Sequence, residues 1–228
     1  MAPAATPLRV VLLGPPASGK GTQGRRLAAS LGLGYLSTGA VLREQMETGT
    51  DLGKQAEPIL ARGEYLPDDL MCPILADWLS RQTGGWVLDG FPRSVPQAVF
   101  LDDWLARHGL KLDAAVSLEV PFEQLLARIH NRVECPECRW SGQLTHEAKC
   151  PVCGGSAGPR ADDSEENFRS RHAEFVSLTQ PVIAHYRQAG LLSSCEATPP
   201  ESEVAARLLQ LFPPRPVPLE ILNSQFLF

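Results

Sequence analysis

Short unbroken apolar runs alternate along this chain with stretches in which apolar residues recur every three or four positions. The first run, Val10-Val11-Leu12-Leu13, contains no polar residue. That is the pattern of a strand buried on both faces of a parallel sheet, not of one half-exposed to water. Comparable runs predict strands at 8–13, 33–36, 86–89, 114–120 and 191–196, and helical periodicity predicts helices at 20–31, 67–82, 94–108, 121–132, 164–189 and 201–212. Strand and helix in regular alternation predict an α/β fold: a five-stranded parallel sheet flanked by helices, with ligand expected at the carboxyl ends of the strands.

Two segments break the alternation. Residues 38–66 hold two short helical patterns, split by Gly49 and Gly53 and closed by Gly63 and Pro67. Residues 133–162 are rich in glycine and cysteine, with little helical periodicity. Each is inserted between core elements and so is able to move against the core. The expected organisation is core at 1–37, insert at 38–66, core at 67–132, insert at 133–162, core at 163–212 and a tail at 213–228. The tail opens on Pro213 and Pro214, which cannot continue the preceding helix. It reads as a frayed terminus, the alternative being that Ile221, Leu222, Phe226 and Phe228 dock on a core groove or a partner.

The first strand runs straight into Gly14-Pro15-Pro16-Ala17-Ser18-Gly19-Lys20-Gly21-Thr22 at the start of a helix. Strand, Gly-x4-Gly-Lys turn and helix in that order are a phosphate-binding P-loop. Gly14 and Gly19 let backbone N–H groups point inward, the helix adds its positive end, and Lys20 reaches the outer phosphates of a nucleoside triphosphate. Gly21 stands where the strict pattern has Ser or Thr, with Thr22 one residue later, so direct ligation of Mg²⁺ by a hydroxyl is less secured than triphosphate binding.

The chain has 228 residues, 43% hydrophobic and 21% charged, with a net charge of −5. That is ordinary for a globular protein and argues against a general nucleic-acid binder, which needs a basic surface. No apolar run approaches the ~18 residues of a membrane span, and the first residues lack the basic stretch of an export signal, so a cytoplasmic location is expected. Four of six cysteines form two Cys-Pro-x-Cys pairs, Cys135/Cys138 and Cys150/Cys153, separated by 11 residues. Two such knuckles match a closed, structural tetrahedral Zn²⁺ site, and an insert with few large apolar side chains needs that staple. His146, within the insert, reads as a surface residue, and Cys72 and Cys195 read as buried small hydrophobes.

Three further segments sharpen the picture: Leu36-Ser37-Thr38-Gly39-Ala40-Val41-Leu42-Arg43, Trp86 to Ala98 with Asp89, Gly90, Arg93 and Gln97, and Arg128 with Arg132 leading into the cysteine insert, followed by Arg160 and Arg171. Over residues 8–212, and in the same order, the chain resembles the adenylate kinases, a branch of the P-loop nucleoside monophosphate kinases. The resemblance implies transfer of a phosphoryl group from Mg-ATP to AMP, giving two ADP; a monomer with no nucleic-acid or membrane partner is expected. It makes 38–66 the monophosphate-binding insert and 133–162 a zinc-bearing lid. It implies ATP contacts from Gly14, Pro15, Ala17, Ser18, Gly19, Lys20, Gly21, Thr22, Arg128 and Arg132. AMP contacts fall to Thr38, Gly39, Arg43, Glu64, Tyr65, Leu66, Gly90, Arg93, Gln97, Arg160 and Arg171. Lys20, Asp89, Arg93, Arg132, Arg160 and Arg171 are then the catalytic set.

Physical chemistry supports such a set independently. Bringing two polyanions together is chiefly a problem of repulsion and positioning, which planar, permanently charged arginine forks address. No general base is needed, because the acceptor phosphate is already ionised. Asp89, at a strand end, is expected to orient Mg²⁺ and its waters, and Gln97 offers an amide that can pair with an adenine edge. Asp162, Asp163, Glu165 and Glu166 read as acids favouring a helix N-terminus. Three positions depart from the family pattern: Ala17 for a glycine, Ala40 for an acid able to pair with lid arginines on closure, and Glu64 for a lysine. Other donors or acceptors (GTP with AMP, or UMP/CMP), or a nucleotide-binding sensor with weak turnover, are the alternative readings.

Overall fold

The computed structural model describes residues 7–138, 140–143, 149–160 and 163–212. His146, Asp162 and the 213–228 tail lie outside the described residues. The core is a parallel sheet of β1 (Arg9–Leu13), β2 (Gly34–Ser37), β3 (Trp86–Asp89), β4 (Ala114–Glu119) and β8 (Leu192–Glu196), in the order β2-β3-β1-β4-β8. The unbroken apolar run of β1 is explained by its central place. Val10 and Leu12 face a cluster with Leu27, Val116, Leu118, Val204 and Leu208, whereas Val11 and Leu13 face one with Leu75, Leu88, Leu101, Leu105 and Tyr186. Alternate side chains enter opposite layers, so both must be apolar.

Helices α1 (Lys20–Leu31), α4 (Asp68–Ser80), α5 (Val95–Arg107), α6 (Phe122–His130) and α9 (Glu201–Gln210) match the periodic stretches within two residues at each end. Local chemistry sets several starts. The Ser94 hydroxyl accepts from the Gln97 N–H at the head of α5, and Pro67, Pro121 and Pro200 precede α4, α6 and α9. The stretch read as one helix over 164–189 is α7 (Glu165–Glu174) and α8 (Gln180–Gln188), joined through a wider π turn at Phe175–Thr179. Within that turn the buried Thr179 hydroxyl donates to the Arg93 carbonyl at 2.9 Å.

The first insert forms α2 (Thr38–Glu47) and α3 (Asp51–Ala61). Gly49, at φ 67°, makes the break between them, but Gly53 does not: it lies inside the first turn of α3. There a Cβ would sit 2.1 Å from the Gln45 carbonyl oxygen, so Gly53 permits close packing of α3 on the end of α2. The second insert is a small antiparallel sheet of β5 (Arg132–Glu134), β6 (Ser141–Gln143) and β7 (Gly158–Pro159), ordered β6-β5-β7. Such short strands carry too few residues for a periodic signal.

Candidate active site

The P-loop wraps at the end of β1. Gly14 adopts φ 143° and packs so closely that a Cβ would lie 2.8 Å from the Leu118 carbonyl oxygen, and Gly19 caps α1 at φ 94°. Ala17 is held at φ 63°, a left-handed conformation that a side chain disfavours by about 1–2 kcal/mol. Lys20 Nζ donates to the Gly14 and Pro15 carbonyls, each at 2.8 Å. Its burial pushes its pKa down to about 8, with Asp89 opposing the shift and Arg93 and Arg132 adding to it.

Parallel register brings the next residues to the same edge. Asp89, the last residue of β3, stands opposite Leu12 of β1 and Ser37 of β2. Its Oδ2 accepts from the Tyr35 hydroxyl at 3.0 Å. The neighbouring Thr38 hydroxyl donates to the Gly90 carbonyl at 2.9 Å. Arg93 is fixed four ways: Nε donates to the Gly90 carbonyl at 2.7 Å, its guanidinium lies 4.4 Å from the Tyr65 ring centre, its carbonyl accepts from Thr179, and its N–H donates to Gln97 Oε1 at 2.8 Å. Gln97 is buried, and its amide nitrogen donates to Asp68 Oδ1 at 2.7 Å. The Gln97 amide, read from the sequence as able to face an adenine edge, is here bonded to the Arg93 N–H on one side and to Asp68 on the other.

The cysteine insert closes the other wall. The Thr22 hydroxyl donates to the Ser141 carbonyl at 3.0 Å, tying α1 to β6. Arg132 makes a two-pronged ion pair with Asp163, through Nε at 2.6 Å and its terminal nitrogen. Asp163, almost wholly buried, therefore holds an arginine; the cap of α7 is Ser164, which accepts from the Asn167 N–H at 3.1 Å. Arg128 donates to the Ala197 carbonyl at 2.6 Å. Arg43 on α2 and Arg160 beyond β7 both meet the Glu134 carboxylate, at 3.3 and 3.4 Å. Glu134, Tyr35 and Asp68 carry no motif signal in the sequence beyond their closeness to motif residues.

These elements enclose one cavity of about 930 Å³. Gly14, Ala17, Ser18, Gly19, Lys20, Gly21 and Thr22 line it, with Gly39, Arg43, Glu64, Tyr65, Asp89, Gly90 and Arg93, and with Arg128, Arg132, Arg160 and Arg171. Pro15, Thr38, Leu66 and Gln97 stand behind that wall, and Thr38, Leu66 and Gln97 are buried. A space of this size with a phosphate-binding loop at one end and arginines from both inserts around it suits two phosphorylated ligands placed end to end.

Cys135, Cys138, Cys150 and Cys153 come together away from this cavity, with all four sulfurs within 4.8 Å of one another. The Cys135–Cys153 and Cys138–Cys150 contacts are 3.5 and 3.4 Å, near the about 3.8 Å edge of a tetrahedron with Zn–S bonds of about 2.3 Å. Burial would raise the Cys150 thiol, but hydrogen bonds from the Cys153 and Val152 backbone outweigh it and bring its pKa to about 7. The donor set fits a structural divalent metal.

Fold and cavity define the class: a P-loop nucleotide kinase with two inserted segments closing over one cleft. A family model described as adenylate kinase matches residues 12–191. Similar curated proteins include adenylate kinases of Agathobacter rectalis, 36% identical over 89% of this chain and 98% of its own length, and of Streptomyces coelicolor, 39% identical over 89% and 97%. Another, from Thermodesulfovibrio yellowstonii, is 39% identical over 84% of this chain and 92% of its own length. The chain belongs to the adenylate kinases and is a phosphotransferase.

Proposed function

We propose that the protein transfers the terminal phosphoryl group of Mg-ATP to AMP, reversibly, giving two ADP. The observation that carries this reading is the ring of Arg43, Arg93, Arg132, Arg160 and Arg171 around the cavity whose floor is the P-loop. Lys20 and the loop N–H groups hold the donor's outer phosphates. Arg43 and Arg93 hold the acceptor phosphate, with 38–66 as its binding insert and Glu64, Tyr65 and Leu66 along the nucleoside. Arg132, Arg160 and Arg171, with Arg128 behind them, neutralise charge as the 133–162 lid excludes water. The reaction then needs in-line placement and charge neutralisation but no proton-abstracting residue.

Mg²⁺ arriving with the donor would supply positive charge against its phosphates, and Asp89, braced by Tyr35, is the residue suited to orient its water shell. Cys135, Cys138, Cys150 and Cys153 would hold Zn²⁺ as a staple for the lid, and four thiolates would leave no open position for chemistry. Among the described residues no helix is long and apolar enough to cross a membrane. The cleft is completed within one chain, which supports a monomer, and we read its location as cytoplasmic.

Supplying ADP and Mg²⁺ alone tests the reading. Equal amounts of ATP and AMP are expected to accumulate. Release of inorganic phosphate and AMP without ATP would show a hydrolase instead.

A further inference from the structure

Glu134 sits on β5, directly before the first zinc-knuckle cysteine, and its carboxylate is 9% exposed. Arg43 approaches it from α2 of the other insert. Arg43 Nε meets Oε1 and a terminal nitrogen meets Oε2, both at 3.3 Å. That is the forked edge of a guanidinium, the same edge that grips two oxygens of a phosphate. Arg160 directs its own Nε at Glu134 Oε2, at 3.4 Å. The side chains of Arg43 and Arg160 are 23% and 11% exposed, so solvent screens these pairs far less than surface ones. The insert, for its part, carries Ala40 where the family pattern has an acid, so the carboxylate between the two inserts comes from the lid.

We propose that Glu134 is an internal stand-in for the acceptor phosphate, holding the donor edges of Arg43 and Arg160 until a nucleotide phosphate displaces it. This rests on the reading of Arg43 as an acceptor-phosphate ligand and of Arg160 as a lid arginine that neutralises phosphate charge on closure. A carboxylate and a phosphate cannot both take the same edge of Arg43, so each AMP that binds must first break the Glu134 fork. The cost falls on the phosphate and not on the nucleoside, because what Glu134 occupies is the donor edge of Arg43 that a phosphate would take. Glu134 is thus a positioning residue that keeps two arginines together across the cleft and lowers affinity for the acceptor.

The test is calorimetric titration of the full-length protein with AMP and with adenosine, for the parent, Glu134→Gln, Glu134→Asp and Arg43→Ala. Glu134→Gln keeps the shape and removes the competing charge, so it should bind AMP about three- to tenfold more tightly, with adenosine affinity unchanged. Glu134→Asp keeps the charge and should bind AMP more weakly than Glu134→Gln. Unchanged or weaker AMP binding by Glu134→Gln, with Arg43→Ala still losing AMP, would overturn the stand-in while sparing the acceptor reading. An Arg43→Ala protein that binds AMP like the parent would remove the acceptor reading itself and the proposal with it. Equal tightening of AMP and adenosine by Glu134→Gln would also overturn it, since the effect would then not pass through the phosphate.

Discussion

The Tyr35 hydroxyl donates a 3.0 Å hydrogen bond to Asp89 Oδ2, linking the middle of β2 to the last residue of β3 beside the P-loop. The phenol is partly buried, and desolvation together with the Asp89 charge pushes its pKa well above the usual tyrosine value, so it is a fixed donor throughout the working pH range. Tyr35→Phe should leave Asp89 free to rotate. The expected result is a several-fold higher Mg²⁺ concentration for half-maximal activity and a loss of about 1 kcal/mol in stability, with AMP affinity little changed. Magnesium titrations of initial rate, with denaturant unfolding of the same variant, check this.

Arg93 is held at its side chain, N–H and carbonyl by Gly90, Tyr65, Gln97 and Thr179. Arg93→Ala should lower kcat/KM by about 10²–10³-fold, the scale of losing a preorganised charge-stabilising donor. Gln97→Ala should give a smaller loss without relaxing the choice among acceptor bases, because its amide is spent on Arg93 and Asp68. Steady-state kinetics with AMP and GMP separate the two effects.

Lys20 gives a pH prediction with a definite sign. Its pKa in the folded protein is lowered to about 8 from an ordinary 10.5, chiefly by burial. ATP affinity should therefore fall as pH rises through about 8, and binding at pH 8.5 should take up protons, since the added negative charge raises the Lys20 pKa. Stability runs the other way. The unfolded chain holds this proton up to about 10.5, so the Lys20 contribution to folding grows as pH rises from about 8 towards 10.5. Calorimetry in buffers of different ionisation enthalpy measures the proton uptake, and Lys20→Arg should abolish it.

The four-cysteine cluster predicts a lid that depends on its metal. Cys138→Ala, or a strong chelator, should lower the melting temperature and turnover, while AMP still binds through Arg43 and Arg93. Differential scanning calorimetry with AMP titration tests both halves. A variant that melts and turns over like its parent would remove the staple.

The sequence made the core legible because burial on both faces leaves a continuous apolar run. Val10 to Leu13 and Trp86 to Leu88 could be nothing but inner strands once glycine-bounded helices followed them. The P-loop was legible because its glycines and lysine act through local backbone geometry. What stayed hidden depends on contacts between distant segments. Asp163 reads as a helix-start acid until the fold sets it on Arg132, 31 residues away. Glu134 and Arg43, 91 residues apart, carry no joint signal at all. Gly53 looked like a break because glycine usually is one, and only the approach of the Gln45 backbone shows its packing role.

The most direct measurement is ADP formation from Mg-ATP with each of AMP, GMP, CMP and UMP, with Lys20→Ala as control. Rapid turnover with AMP, little with the other three and none in the control is the predicted result. Nucleotide binding without ADP formation from any pair, or turnover that survives the loss of Lys20, would contradict it.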